Sequence, residues 1–136
     1  MSLDRIFLDA NILFSVAYGS PGLNRLWELA QKGSCILLAS EYVIEEAKRN
    51  LSTAEQLQKL DEYLSIVQTV AEVDPTIACP IDLPDKDRPV IMAAIGAKAG
   101  YFITGDITHF GKYFGQTIMG VNICLARDYL STKIKP

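Results

Sequence analysis

The sequence predicts an α/β fold, specifically a three-layer α/β/α sandwich with a central, mostly parallel sheet. Short apolar runs alternate with amphipathic stretches of helical length, and the crossovers that this alternation requires place helices on both faces of a parallel sheet. With 136 residues and 49% hydrophobic content, the chain is expected to form one domain, residues 1–136, around one substantial core.

Signals at helix ends and the spacing of apolar residues give the order of the elements. Residue types suited to helix capping occur at Ser20, Ser40, Ser52 and Asp87, and Glu55 completes a capping-box pattern with Ser52. Continuous apolar runs indicate buried strands. In chain order we expect a strand at 5–8, helices at 11–18 and 20–33, a strand at 34–39, helices at 40–51 and from 52 onward, a strand within 65–73, a helix at 88–99, and strands at 101–104 and 117–126.

The amino-acid composition does not indicate a nucleic-acid-binding surface. The formal net charge is -3 and the pI is about 5.1, whereas nucleic-acid binders usually carry a basic patch. If four of the acidic residues bound two divalent ions, the negative balance would be offset, so a phosphate-containing substrate is not excluded. The cations that could meet a phosphate backbone are few: Lys48, Arg49, Lys86, Arg88 and Lys112.

Cysteine usage and hydropathy bear on the compartment. Cys35, Cys79 and Cys124 are widely spaced and odd in number, without the paired spacing of zinc or redox motifs, so we expect reduced packing residues. The apolar runs are too short to span a bilayer, and residues 1–4 lack the features of a signal peptide. These observations predict a cytoplasmic protein with no membrane partner.

Four acidic residues are predicted to meet at one edge of the sheet. One apolar strand leads directly to Asp9, and another leads to Asp106. Glu46 lies on the helix after the second strand, and Asp87 opens the helix before the strand at 101–104. Ligands of open α/β sheets bind outside the carboxyl ends of the strands. Converging carboxylates repel one another, so a divalent cation is expected among them, and oxygen ligands favour Mg²⁺ or Mn²⁺ over zinc.

Several polar residues near these acids also have structural explanations. Asp87 could be only an N-cap, and Asp85 is better explained as a loop charge than as a supporting acid. On the helix at 40–51, the apolar stripe places Glu46 at its border and Glu45 toward solvent, although Glu46 could also be a flanking surface charge. His109, the only histidine, suits a packed or capping role better than a catalytic one.

Four segments resemble, in order, the motifs of the PIN-domain family. The tail from His109 to Leu130 is similar to that of small bacterial and archaeal PIN proteins, some of which are toxins of the VapC type in toxin–antitoxin pairs. Each motif alone is weak, but four in the right order are a strong joint signal. The segments are FLDANIL at 7–13, SEYVIEEA at 40–47, DKDRPVIMAA at 85–94 and YFITGD at 101–106.

The resemblance implies a metal-dependent nuclease that hydrolyses phosphodiester bonds, most commonly in single-stranded RNA, with Mg²⁺ or Mn²⁺ as cofactor. It also implies RNA as partner, an antitoxin protein as a further partner if the chain is a toxin, and a homodimer. It also implies that Asn11 and Thr104 are polar supports of the site. Asn11 could equally well be a local cap, and Thr104 could equally well be a β-favouring strand residue. The catalytic and metal-binding acids that it implies are Asp9, Glu46, Asp87 and Asp106.

Two other functions remain open at this point. The segment 7–11 loosely resembles the strand-borne Asp-x-Asp of haloacid-dehalogenase-type phosphatases, with Asp106 as their late acid. The second aspartate of that motif is missing, and Glu46 would have no role. A PIN-like module that binds RNA or a protein without cutting is the non-enzyme alternative, although the intact acids argue against it.

Overall fold

A computed structural model describes residues 3–133, in which helices cover both faces of a six-stranded sheet. Met1 and Ser2, on which the expectation about a signal peptide partly rests, lie outside this range, as do residues 134–136. The strands are β1 (Asp4–Leu8), β2 (Cys35–Ser40), β3 (Val67–Val70), β4 (Tyr101–Ile103), β5 (Thr117–Ile118) and β6 (Val121–Cys124). The helices are α1 (Ala10–Tyr18), α2 (Asn24–Gln31), α3 (Glu41–Asn50), α4 (Ala54–Leu64), α5 (Arg88–Gly96), α6 (Ile107–Phe110) and α7 (Ala126–Ser131), with a 3₁₀ turn at Gly111–Tyr113.

The order of the strands across the sheet creates a crevice beside β1. That order is β3-β2-β1-β4-β6-β5, and all neighbours are parallel except the β5–β6 pair. The chain therefore builds outward from β1 to β3 and then returns to β4 on the other side of β1. The backbone amide of Asp9 donates to the Ile103 carbonyl over 3.0 Å, which ties the ends of β1 and β4 together. Such a reversal of strand order is where α/β sheets bind ligands.

The core lies along the central strands and under the helices that cover them. Ile6, Phe7 and Leu8 are fully buried in β1, as expected for parallel strands covered on both faces. The Phe102 ring of β4 lies 5.9 Å from Phe7 and 4.9 Å from Phe110 between ring centroids. Helix α1 packs against α3 and α4. Among the described residues, no helix has the length and apolar character needed to cross a membrane.

The cysteines occupy the packing positions that the sequence predicts. All three are free thiols, Cys35 and Cys124 are buried, and Cys79 is partly buried. Burial raises the pKa of the Cys35 and Cys124 thiols to about 11, so both are uncharged at neutral pH.

Two predicted helix starts are wrong by a few residues. Ser20 does not begin α2, because its backbone amide donates to the Ser15 carbonyl and closes α1 behind Gly19, whose φ of 114° suits glycine. A turn then separates it from α2. The capping box of α4 pairs Thr53 with Gln56, one residue later than the predicted Ser52 and Glu55.

The predicted last strand at 117–126 is a hairpin followed by a helix. Met119 and Gly120 connect β5 to β6, and both have positive φ, 50° and 88° respectively. Two such residues in succession form the kind of turn that suits the twist of a two-residue hairpin. Methionine is not a usual residue for this position, so the turn carries no strong sequence signal. Helix α6, on the segment between β4 and β5, is an addition to the predicted elements.

Candidate active site

The four acids selected from the sequence line one cleft at the carboxyl ends of β1 and β4. The cleft has a volume of about 280 Å³, and Lys86 also lines it. Asp9 follows β1, Asp106 follows β4, Asp87 immediately precedes α5, and Glu46 is on α3. The loops and helices that follow the parallel strands thus bring to one place acids that are far apart in sequence.

Asp9 is the most deeply buried of these acids, and a hydrogen-bond network fixes its orientation. It is only 6% exposed. Its Oδ1 accepts from the Ala10 backbone amide over 2.8 Å, and its Oδ2 accepts from the Thr104 hydroxyl over 2.8 Å. The Asn11 amide also donates to Oδ2 over 3.1 Å, while its own oxygen accepts from the Gly105 amide over 2.8 Å. Asn11 and Thr104 therefore hold Asp9 and link the loop after β1 to the loop after β4.

Burial nevertheless makes the Asp9 charge unfavourable. Desolvation is the main cause that raises the pKa of this carboxyl from 3.8 to about 6, and the negative charges of Glu46 and Asp87 raise it further. The hydrogen bonds from Thr104 and Ala10 act in the opposite direction. The pKa of Asp87 is also raised, again chiefly by burial, with Asp106 adding repulsion and His109 opposing it. The cleft thus holds more negative charge than its own donors neutralise.

Asp87 and Asp106 converge on His109, for which the sequence suggested only a packed or capping role. The Nδ1 atom of His109 lies 2.8 Å from Oδ2 of Asp87 and 2.9 Å from Oδ2 of Asp106. Asp87 stands at the N-cap position of α5, but its side chain makes no capping hydrogen bond there, so capping does not account for it. The sequence did hold a signal for His109, because residues three apart share a helical face and Asp106 precedes it by three.

Neighbouring acids on the same elements lie outside this cleft. Glu45 is exposed, whereas Glu46 is partly buried, as the helical phase predicts. Asp85 is 94% exposed in its side chain and pairs with Arg88 over 3.0 Å, which fits a loop charge. Asp85 faces a larger groove of about 800 Å³ beside the loop at 73–82. In the described part of the chain, that groove contains no tight cluster of potential metal ligands.

The donor set of the acid cleft fits a divalent cation. Ligand atoms from Asp87, Asp106 and His109 all lie within 4.8 Å of one another. Within the described chain, Asp87 Oδ2 and His109 Nδ1 are buried atoms without a hydrogen-bond partner. Asp9 and Glu46 line the same cleft but are not part of this tight group. Unpartnered buried oxygen and nitrogen atoms next to an excess of negative charge are what a bound cation would satisfy.

The burial of Asp9 should make the metal-free protein lose stability between mild acid and neutral pH. Because its folded pKa is about 6 against 3.8 ordinarily, the folded state binds more protons than the unfolded chain between these values. The resulting stabilisation is complete below the unfolded pKa and is lost as the pH rises through the folded pKa, by up to roughly 3 kcal/mol. Urea unfolding in EDTA across this pH range, for wild type and Asp9→Asn, measures the difference. A difference that does not change with pH would contradict this account of Asp9.

Two of three comparisons with known proteins agree with this fold. The third, with curated proteins, finds no match. Among solved structures, a chain in the crystal structure of VapBC2 from Rickettsia felis bound to a DNA fragment from their promoter aligns with a TM-score of 0.60 and 18% identity. The alignment covers 88% of this chain and 96% of that chain, and it shows a shared fold. A family model described as PIN domain matches residues 5–108. The chain belongs to the PIN-domain family.

Proposed function

We propose that this protein is a metal-dependent nuclease that hydrolyses phosphodiester bonds, with single-stranded RNA as its preferred substrate. The observation that carries the proposal is the convergence of Asp9, Glu46, Asp87 and Asp106 on one cleft at the strand ends. Membership of the PIN-domain family supports this proposal. The same membership argues against the phosphatase alternative. The chain offers oxygen ligands in excess, which suits Mg²⁺ or Mn²⁺.

In this proposal the protein supplies charge and position rather than a covalent nucleophile. Bound divalent ions would activate water for attack and stabilise the oxygen that leaves. Asp9, Glu46, Asp87 and Asp106 would hold the ions, and the hydrogen bonds from Asn11 and Thr104 would keep Asp9 in its ligand orientation. Lys86 lines the wall of the cleft and would supply a positive charge to a phosphate oxygen of the substrate.

An aromatic pair beside the acids supports a single-stranded substrate. Phe14 lines the cleft, and the Tyr18 ring stacks on it with centroids 5.3 Å apart and planes at 17°. Tyr18 is 65% exposed, so the outer face of its ring is open to solvent. Unpaired bases stack on such rings, whereas bases within a duplex are already stacked on each other.

A toxin role with an antitoxin partner is the biological setting that we propose. The support is the fold shared with a chain of the VapBC2 complex, together with the resemblance of the sequence to VapC-type toxins. We further propose a homodimer. The strongest alternative is a PIN module that binds RNA without cutting, in which case binding would persist unchanged in EDTA and no cleavage would occur in Mn²⁺.

Purified protein should cleave labelled single-stranded RNA in Mn²⁺ or Mg²⁺ and should lose this activity in EDTA. Cleavage of double-stranded RNA and of duplex DNA should be slower, because their bases are already stacked on each other and are not free to stack on the aromatic pair. Asp9→Asn should lower the rate by roughly a hundredfold or more, since a loss of about 3 kcal/mol of transition-state stabilisation has that effect. Gel analysis of a substrate panel measures these rates. Equal cleavage by wild type and Asp9→Asn would indicate a contaminating nuclease and would contradict the proposed activity of this chain.

Activity should depend on Glu46 and not on its neighbour Glu45. Both are on α3, but only Glu46 lines the acid cleft, so Glu46→Gln should abolish most cleavage. Glu45→Gln is the matched control, because it makes the same chemical change one residue away on an exposed position and should leave the rate near that of wild type. The two variants are compared at equal Mn²⁺ concentration. An inactive Glu45→Gln beside an active Glu46→Gln would show that the site is misassigned.

An antitoxin partner should be encoded by a small gene directly beside the gene for this chain. Co-expression of the two products should yield a complex that survives purification and that suppresses RNA cleavage. A neighbouring product that neither binds the chain nor reduces its activity would count against the toxin role but not against the nuclease.

The proposed homodimer is tested on the chain alone. Light scattering during gel filtration should give twice the 15.0 kDa mass of the chain.

A further inference from the structure

His109 lies in the acid cluster although the sequence suggested only a packed or capping residue. Helix α6 carries it on the segment after β4, where the Asp106 side chain accepts from the His109 backbone amide over 3.1 Å. This backbone contact fixes the position of the residue without using the imidazole. The imidazole is thus free to face the two carboxylates, and its side chain is 28% exposed.

The Nδ1 atom of His109 makes short contacts with two carboxylates at once. The atom lies 2.8 Å from Asp87 Oδ2 and 2.9 Å from Asp106 Oδ2. Among the described residues, Nδ1 and Asp87 Oδ2 are buried atoms with no well-aligned hydrogen bond, while burial raises the pKa of Asp87 and the approach of His109 opposes that effect.

The same spacing is that of neighbouring ligands around one small cation. Octahedral coordination with bonds of about 2.1 Å separates adjacent ligand atoms by about 3 Å. Each of the three side chains can offer one ligand atom within 4.8 Å of the others. The three atoms therefore converge as a ligand group does, with the Nδ1 lone pair available when the other ring nitrogen, Nε2, carries the proton.

We propose that His109 Nδ1 is a direct metal ligand together with Asp87 and Asp106, and that it makes the site prefer Mn²⁺ to Mg²⁺. Magnesium favours oxygen ligands and keeps much of its water, whereas imidazole is a better ligand for transition ions. A site of carboxylates alone would not make this distinction strongly. The inference rests on the metal site of the proposed nuclease, and it concerns which ion that site selects.

The composition of the chain makes a direct spectroscopic test unambiguous. His109 is the only histidine, so in tag-free protein any imidazole nitrogen bound to the metal belongs to this residue. Electron spin echo measurements on the protein with one equivalent of Mn²⁺ should show the ¹⁴N coupling of a directly bound imidazole. In His109→Gln this coupling should be absent. Bound Mn²⁺ without imidazole coupling in the wild type would overturn the proposal.

Metal affinities provide the second measurement. Calorimetric titration should give tighter binding of Mn²⁺ than of Mg²⁺ by the wild type. His109→Gln should weaken Mn²⁺ binding by roughly tenfold or more, a loss that even indirect partners of metal ligands can cause, and should change Mg²⁺ binding less. His109→Asp, which makes the group all-carboxylate, should bring the two affinities closer together. An unchanged affinity ratio in both variants, with melting curves showing that they are folded, would also overturn the proposal.

The outcomes separate this inference from the proposed nuclease activity. Imidazole coupling without RNA cleavage by any metal-loaded form would retain the ligand assignment and refute the nuclease. Cleavage together with Mn²⁺ binding that shows no imidazole coupling would retain the nuclease and refute the ligand. A wild type that binds no Mn²⁺ refutes the ligand assignment. In that case, cleavage with Mg²⁺ would support the nuclease activity, and no cleavage with Mg²⁺ would refute it.

Discussion

The charge of Asp9, buried between the ends of β1 and β4, is the constraint on which the rest of the site depends. An apolar strand brings this carboxylate to a position where it is 6% exposed, and a charge taken out of water is stable only with well-placed partners. Thr104 and Asn11 supply these partners through side chains on both sides of the crevice. The parallel pairing of β1 with β4 is therefore also what creates the polar environment of the acid.

The hydrogen-bond network around Asp9 continues into the loop that follows β4. The Thr104 hydroxyl that donates to Asp9 also accepts from the Asp106 backbone amide over 3.0 Å. Asp106 in turn accepts from the His109 amide and so begins α6. Each hydrogen bond fixes the residue that makes the next one, so the carboxylates of the cleft are positioned by backbone and buried side chains rather than by flexible surface groups. Sites built in this way hold their geometry before a ligand arrives.

The sequence predicted what depends on periodicity and missed what depends on tertiary contacts. The α/β class and the buried strands follow from apolar runs, because burial on both faces leaves a continuous signal. The start of α2, the Met119-Gly120 turn and α6 depend instead on which group each backbone amide meets in the folded chain. Asp9, Asp87 and Asp106 could be selected because they follow or precede strong elements, and Glu46 because of its phase on a helix. For His109 the only sequence signal is its spacing of three from Asp106, because its approach to Asp87 depends on the folded chain.

The distribution of cations gives a bound metal a second role in the proposed nuclease, beyond its part in the chemistry. Arg88 is engaged by Asp85 and by the Leu83 carbonyl, and Lys112 lies 5.2 Å from the centre of the Tyr113 ring. Lys86 lines the cleft, but one ammonium does not balance four carboxylates. A phosphate backbone would therefore meet net repulsion at the metal-free site. In the proposed nuclease, a bound divalent ion would neutralise the repulsion among the buried carboxylates. The same neutralisation would let the cleft attract a phosphate backbone. Stability, substrate binding and catalysis would therefore all depend on metal binding.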